Sequence, residues 1–184
     1  HNSIWSASSY SKGWLKNNFT GEQFNKHKKL MNNTVHISGN PFTDTVFKGG
    51  EFDILDEVWK YGWDDNLGYM PPEVISDKAI STYRDKNPER MIVHYMQPHA
   101  PFINSDLNYR INIHEFNEKN NIVENRTPWQ LLQDNEITYD ELWDAYKSTL
   151  HTVLQSVEKV LNNIDADKVV ISADHGNAVG EKNI

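Results

Sequence analysis

The stretch from about Tyr139 to Ile164 limits the possible folds more than any other part of this chain. Leu142, Tyr146, Leu150, Val153, Leu154, Val157, Val160, Leu161 and Ile164 recur there at steps of three and four residues. That spacing puts them on one face of a helix, which has to be buried against another element. Thr138 and Glu141 have the spacing of a capping box at its start, and Asn162, Asn163 and Asp165 mark its end. Directly afterwards comes Lys168-Val169-Val170-Ile171-Ser172-Ala173, a β-branched run too short for a typical helix, which predicts a buried strand.

The same alternation runs through the rest of the chain. Arg90–Met96 reads as a second strand and Thr34–Ser38 as a shorter third. Between them Pro72–Asp85 is helical in pattern: Pro71 and Pro72 suit its start, Val74, Ile75, Ala79, Ile80 and Tyr83 form the apolar face, and Asn87-Pro88 stops it. Ser9–Phe19 and Glu22–Met31 read as two further helices separated by Gly21. Gly39–Gly68, with a short helix expected around Ile54–Trp59, and Asn104–Thr127 read as loops or lids. There is no internal repeat and no flexible linker. The expected architecture is one α/β domain over residues 1–184, a mainly parallel central sheet with helices on both faces. Because the chain starts at His1 and stops at Ile184, it is expected to be part of a larger domain, incomplete at both ends.

Composition removes several classes of function. With 26 Asp and Glu against 18 Lys and Arg, the formal charge of -8 repels a phosphate backbone and argues against nucleic-acid binding. The absence of cysteine excludes disulfides, thiolate metal sites and thiol nucleophiles. No window approaches the roughly 18 apolar residues of a membrane span. The chain reads as soluble, with a cytoplasmic placement favoured over an otherwise open compartment.

Two segments carry candidate chemistry, and both follow expected strands, whose carboxyl ends face the ligand crevice in an open parallel sheet. In His94-Tyr95-Met96-Gln97-Pro98-His99-Ala100-Pro101-Phe102 two prolines bracket His99 and restrict the backbone on each side of it. A proline-rich turn with an exposed histidine and a positioned imidazole both fit this pattern. In Ile171-Ser172-Ala173-Asp174-His175-Gly176-Asn177, the chain turns at Gly176 as the strand ends, so adjacent Asp174 and His175 can reach one cation. An oxygen and an imidazole nitrogen suit manganese or zinc better than calcium or magnesium. A turn capping a following helix is the other reading. Among the remaining residues, Trp59, Trp63, Trp129 and Trp143 read as core or lid packing, and the cluster Lys26-His27-Lys28-Lys29 as a solvated helix face.

The string VVISADHGNAVGE resembles the metal-binding signature of the alkaline phosphatase superfamily, which includes sulfatases and cofactor-independent phosphoglycerate mutases. IVHYMQPHAPFI resembles the proline-histidine segment of sulfatase-like hydrolases, in particular a microbial and archaeal branch. HISGNPF (36–42), VWKYGWDDNLGYMPPEV (58–74) and the long helix leading into ADHG extend that likeness over most of the chain. The resemblance implies that Asp174 and His175 bind metal and that His99, a catalytic and substrate-binding candidate, lies beside a sulfate or phosphate group, either hydrogen-bonding an anionic oxygen or contacting metal. Glu181 matches the glutamate after the motif's last glycine, with a structural role or one behind the metal ligands. The resemblance also implies a Ser, Thr or formylglycine nucleophile at a helix start near the amino end. Without cysteine, formylglycine derived from that residue is excluded, and Ser6-Ala7-Ser8-Ser9 makes Ser6 the candidate; helix capping by the serine cluster is the alternative. Further ligands of the family are expected before His1 and after Ile184.

The function expected from the resemblance is metal-dependent hydrolysis of a phosphate or sulfate ester, of a small molecule or a glycan, through a serine nucleophile. Phosphoryl transfer of the phosphoglycerate mutase type is one alternative. A non-catalytic anion- or glycan-binding member of the same fold is another.

Overall fold

The computed structural model describes residues 8, 10–107, 109–113 and 126–176. Among these residues ten regular elements follow in chain order: α1 (Ser11–Phe19), α2 (Gly21–Met31), β1 (Thr34–Ser38), α3 (Phe42–Val46), β2 (Ile54–Glu57), α4 (Trp59–Gly62), α5 (Pro72–Lys86), β3 (Arg90–His94), α6 (Pro128–Gln133) and α7 (Tyr139–Leu161). The strands form one parallel sheet in the order β2-β1-β3.

β1 is the central strand, and all five of its residues are buried. Alternation along it divides the core in two. Val35 and Ile37 pack with Ile75, Ala79 and Ile80 of α5 and with Val160 of α7. His36 points to the other face, where Phe19 of α1, Phe47 and Phe52 surround it. Leu15, Phe47 and Phe52 form the buried centre of that second cluster. Helices therefore cover both faces of the sheet, as the β-branched strands require. A third cluster joins Ala100, Phe102 and Tyr109 to Leu142 of α7, fixing the proline-rich segment to the long helix.

Local signals place the helix ends. Thr138 accepts from the backbone of Glu141 while the Glu141 carboxylate accepts from the Thr138 N–H, and Asn162 closes α7. Pro72 opens α5, and Asn87, in the left-handed region at φ 43°, closes it. The end of α7 is tied to α5 by Tyr83 Oη donating to the Asp165 carbonyl and by Arg84 donating to Asn163 Oδ1 at 2.7 Å.

The structure adds α3 within the Gly39–Gly68 stretch read as a loop and α6 after Thr127, neither among the expected helices, and it departs from the sequence reading in two further segments. Ile54–Glu57 is a strand, not part of a short helix. Its alternating side chains send Ile54 and Leu55 to opposite sides of the sheet, and its backbone pairs with β1 from Val35↔Ile54 to Ser38↔Glu57. Ladder pairing outweighs the weak strand propensity of Asp56 and Glu57. Conversely, Lys168–Ala173 is no buried strand. It runs without regular structure, with Val170 78% exposed. β-branched composition makes a segment compatible with a sheet, but only an aligned neighbouring edge turns it into a strand, and among the described residues this segment has no ladder partner.

His36 has a stability consequence. It is fully buried, and neither ring nitrogen has a hydrogen-bond partner among the described residues. Burial, reinforced by the neighbouring His94, holds its pKa well below the ordinary value of 6.5. The folded chain therefore keeps a neutral ring while the unfolded chain takes up a proton below about pH 6.5. Stability is complete above that pH and declines as pH falls toward the depressed folded value, by up to about 1.4 kcal/mol per pH unit. Urea unfolding of His36→Leu between pH 7.5 and 5.5 is expected to show a shallower loss than the parent chain. An equal loss in both would assign the pH dependence to other groups.

Candidate functional site

Parallel register sets the site floor. Ser38 pairs with Glu57 on one side and with His94 on the other, so the three carboxyl-terminal residues of the strands lie level. The Gly39 N–H donates to the His94 carbonyl at 2.9 Å, extending the β1–β3 pairing by one step. The chain then turns at Asn40, whose backbone N–H donates to Ser38 Oγ at 3.1 Å and whose Oδ1 accepts from the Phe42 N–H at 3.0 Å. This leaves Asn40 Nδ2 pointing to His94 Nε2, 3.5 Å away.

Asp174 and His175 come to the same end of the sheet. Both lie within electrostatic range of His94, where burial lowers the imidazole pKa, Asp174 raises it and His175 lowers it further. The edge of Trp14 from α1 and the face of His36 pack against the His94 ring, with centroids 5.9 Å away in each case. Four segments thus converge: the start of α1, the turn after β1, the end of β3 and the Asp-His-Gly turn.

Local hydrogen bonds orient the Asp174-His175 pair. Asp174 Oδ1 accepts from the His175 backbone N–H at 2.9 Å. His175 Nδ1 lies 2.9 Å from the Gly176 carbonyl, which can only accept, so this contact calls for a hydrogen on Nδ1. His175 Nε2 is 3.7 Å from Asp174 Oδ2, with the side chains only 13% and 20% exposed for His175 and Asp174 respectively.

His99 occupies a different setting. Both X-Pro bonds of its segment, Gln97-Pro98 and Ala100-Pro101, are cis. The His99 ring is exposed, its backbone N–H donates to the Met96 carbonyl at 3.2 Å, and Nδ1 lies 2.5 Å from the Ala100 carbonyl. Among the described residues, no three His, Asp or Glu side chains form a group that could hold a metal ion, so His99 does not complete one with Asp174 and His175. Ser6 and Glu181 lie outside the described residues. The residues that sequence reasoning left without a role are His94, Asn40 and Ser11, whose hydroxyl reaches His175 Nε2. For His94, the available signal was its place as the last residue of β3, opposite Ser38.

Neither a protein-family model, nor a curated protein, nor a solved structure matches this chain.

Gly39 sets how closely the turn approaches α5. A Cβ there would stand 2.5 Å from Ile75 Cδ1 and 3.2 Å from Met70 Cγ, both fully buried side chains. Gly39→Ala is therefore expected to lower stability by about 1–3 kcal/mol in urea unfolding. A change within about 0.5 kcal/mol would mean that the core accommodates the methyl group freely.

Proposed function

We propose that this chain carries the candidate site of a metal-dependent hydrolase of phosphate or sulfate esters, of the sulfatase-like branch of the alkaline phosphatase superfamily. The observation behind this reading is the Asp174-His175 pair, a carboxylate oxygen and an imidazole nitrogen 3.7 Å apart at the carboxyl end of a parallel sheet. Two ligands of a tetrahedral ion, each about 2.1 Å from it, stand about 3.4 Å apart, so a shift of a few tenths of an ångström would let both bind one cation. The mixed donor set favours manganese or zinc over calcium or magnesium.

Asp174 and His175 would hold the metal. When bound, it would supply a Lewis acid that offsets charge on the ester oxygens and on the attacking hydroxyl. Asn40 is buried behind the site, where its amide faces the His94 ring. His99, exposed at the bend of the proline segment, is the candidate contact for the anion. Ser6 remains the nucleophile suggested by the sequence. The substrate is an ester of a small molecule or a glycan; the negative charge of the chain disfavours nucleic acid. No helix among the described residues is long and apolar enough to cross a membrane.

Turnover of an aryl phosphate and an aryl sulfate by the full chain, with manganese, zinc or a chelator, tests the reading. Metal-dependent release of the aryl alcohol is expected, with a loss of at least roughly a hundredfold in Asp174→Ala. Turnover unaffected by the chelator and by Asp174→Ala would remove the metal from the reaction.

A further inference from the structure

Charge is divided unevenly along this chain. The first 31 residues carry five Lys and one Glu, while the remaining 153 carry 13 Lys and Arg against 25 Asp and Glu. An acidic molecule therefore presents one cationic region, formed by α1 and α2.

α2 buries little of itself. Only Met31 is buried, Phe24 and His27 are half-buried, and Lys26, Lys28, Lys29 and Leu30 are exposed. A surface helix normally turns its apolar stripe to the core, yet Leu30 stands among the lysines with 46% of its surface exposed. Among the described residues none of Lys16, Lys26, Lys28 and Lys29 makes an ion pair, whereas Lys60, Lys78, Lys147 and Lys159 each hold a carboxylate. Glu51 lies in the loop that Asn32 ties to the end of α2, and its carboxylate is engaged by the backbone N–H groups of Lys48 and Gly49. Glu22, in the first turn of α2, is the one acidic residue of the helix.

We infer that the exposed face of α2 docks on an anionic lipid bilayer, lying on the surface without crossing it. Three features select this partner. A cluster of lysines next to an exposed leucine matches a surface that is anionic at the headgroups and apolar just beneath them. The acidic remainder of the chain is repelled by the same surface, so the molecule is oriented with α2 downward. Eight carboxylates elsewhere are already held in ion pairs, which leaves the acidic side of a second copy less to offer these lysines. The inference is independent of the hydrolase reading: it concerns where the chain sits and leaves its chemistry open.

Each lysine near an anionic bilayer strengthens binding about fivefold, so four of them predict half-saturation near about 1 mM accessible lipid at low salt. The test is co-sedimentation of the full chain with sucrose-loaded vesicles of phosphatidylcholine containing 30% phosphatidylserine, in 50 mM and in 500 mM NaCl. Binding is expected at the lower salt and lost at the higher. Lys26→Gln, Lys28→Gln and Lys29→Gln combined should weaken it about a hundredfold with unchanged helical circular dichroism, since all three side chains are exposed. Lys86→Gln, Lys147→Gln and Lys168→Gln combined remove the same charge from other elements and should change binding by less than about twofold. Leu30→Ser should weaken binding severalfold.

Four results overturn the inference. They are no pelleting with the phosphatidylserine vesicles, equal pelleting with pure phosphatidylcholine, equal losses in the two triple variants, and a lysine-dependent preference for another anionic partner. That partner is either polyglutamate, if it captures the chain while vesicles do not, or a second copy, if salt-sensitive self-association without lipid is abolished by the α2 variant.

Discussion

Everything at the candidate site depends on parallel pairing of β1 between β2 and β3. The register sets Ser38, Glu57 and His94 side by side, and the Gly39 N–H adds one further bond to the His94 carbonyl. A slip of one residue would turn each side chain to the opposite face, moving His94 away from Trp14 and toward α5. The two cores resist such a slip. Val35 and Ile37 are held by α5, while His36 is held among the phenylalanines of the other face. The position of His94 beside Asp174 and His175 therefore follows from hydrophobic alternation several residues earlier.

Most elements were legible because their signals are local. The capping box at Thr138 and Glu141, Pro72 at the start of α5 and the β-branched residues of β1 each act within a few residues. β2 escaped detection since four residues ending in Asp56-Glu57 carry little strand propensity, and their pairing to β1 is a long-range choice. Lys168–Ala173 failed in the opposite sense: its propensity is high, yet a strand needs a partner at ladder distance. The same distinction governs the site. Adjacent Asp174 and His175 stand out in the sequence, whereas the approach of Ser11 to His175 spans 164 positions and leaves no local mark.

The histidine layer beneath the site links burial to charge. His36 and His94 stack with an interplanar angle of 13°, and burial is the foremost cause lowering both pKa values. Protonation of either ring would place a cation against its neighbour, and on His94 also against the Asp174-His175 pair. Kept neutral, the layer leaves the Asp174 carboxylate as the nearest charge that the His94 ring faces. His94 also has an unpartnered Nδ1 among the described residues, a cost of about 1–3 kcal/mol that aromatic contacts with Trp14 and His36 offset only in part. Replacing the two rings by aliphatic side chains would remove that cost, but it would also remove the acceptor that Asn40 Nδ2 faces. The polar stack is thus better understood as the support that orients the turn after β1 than as a stabilising feature of the core.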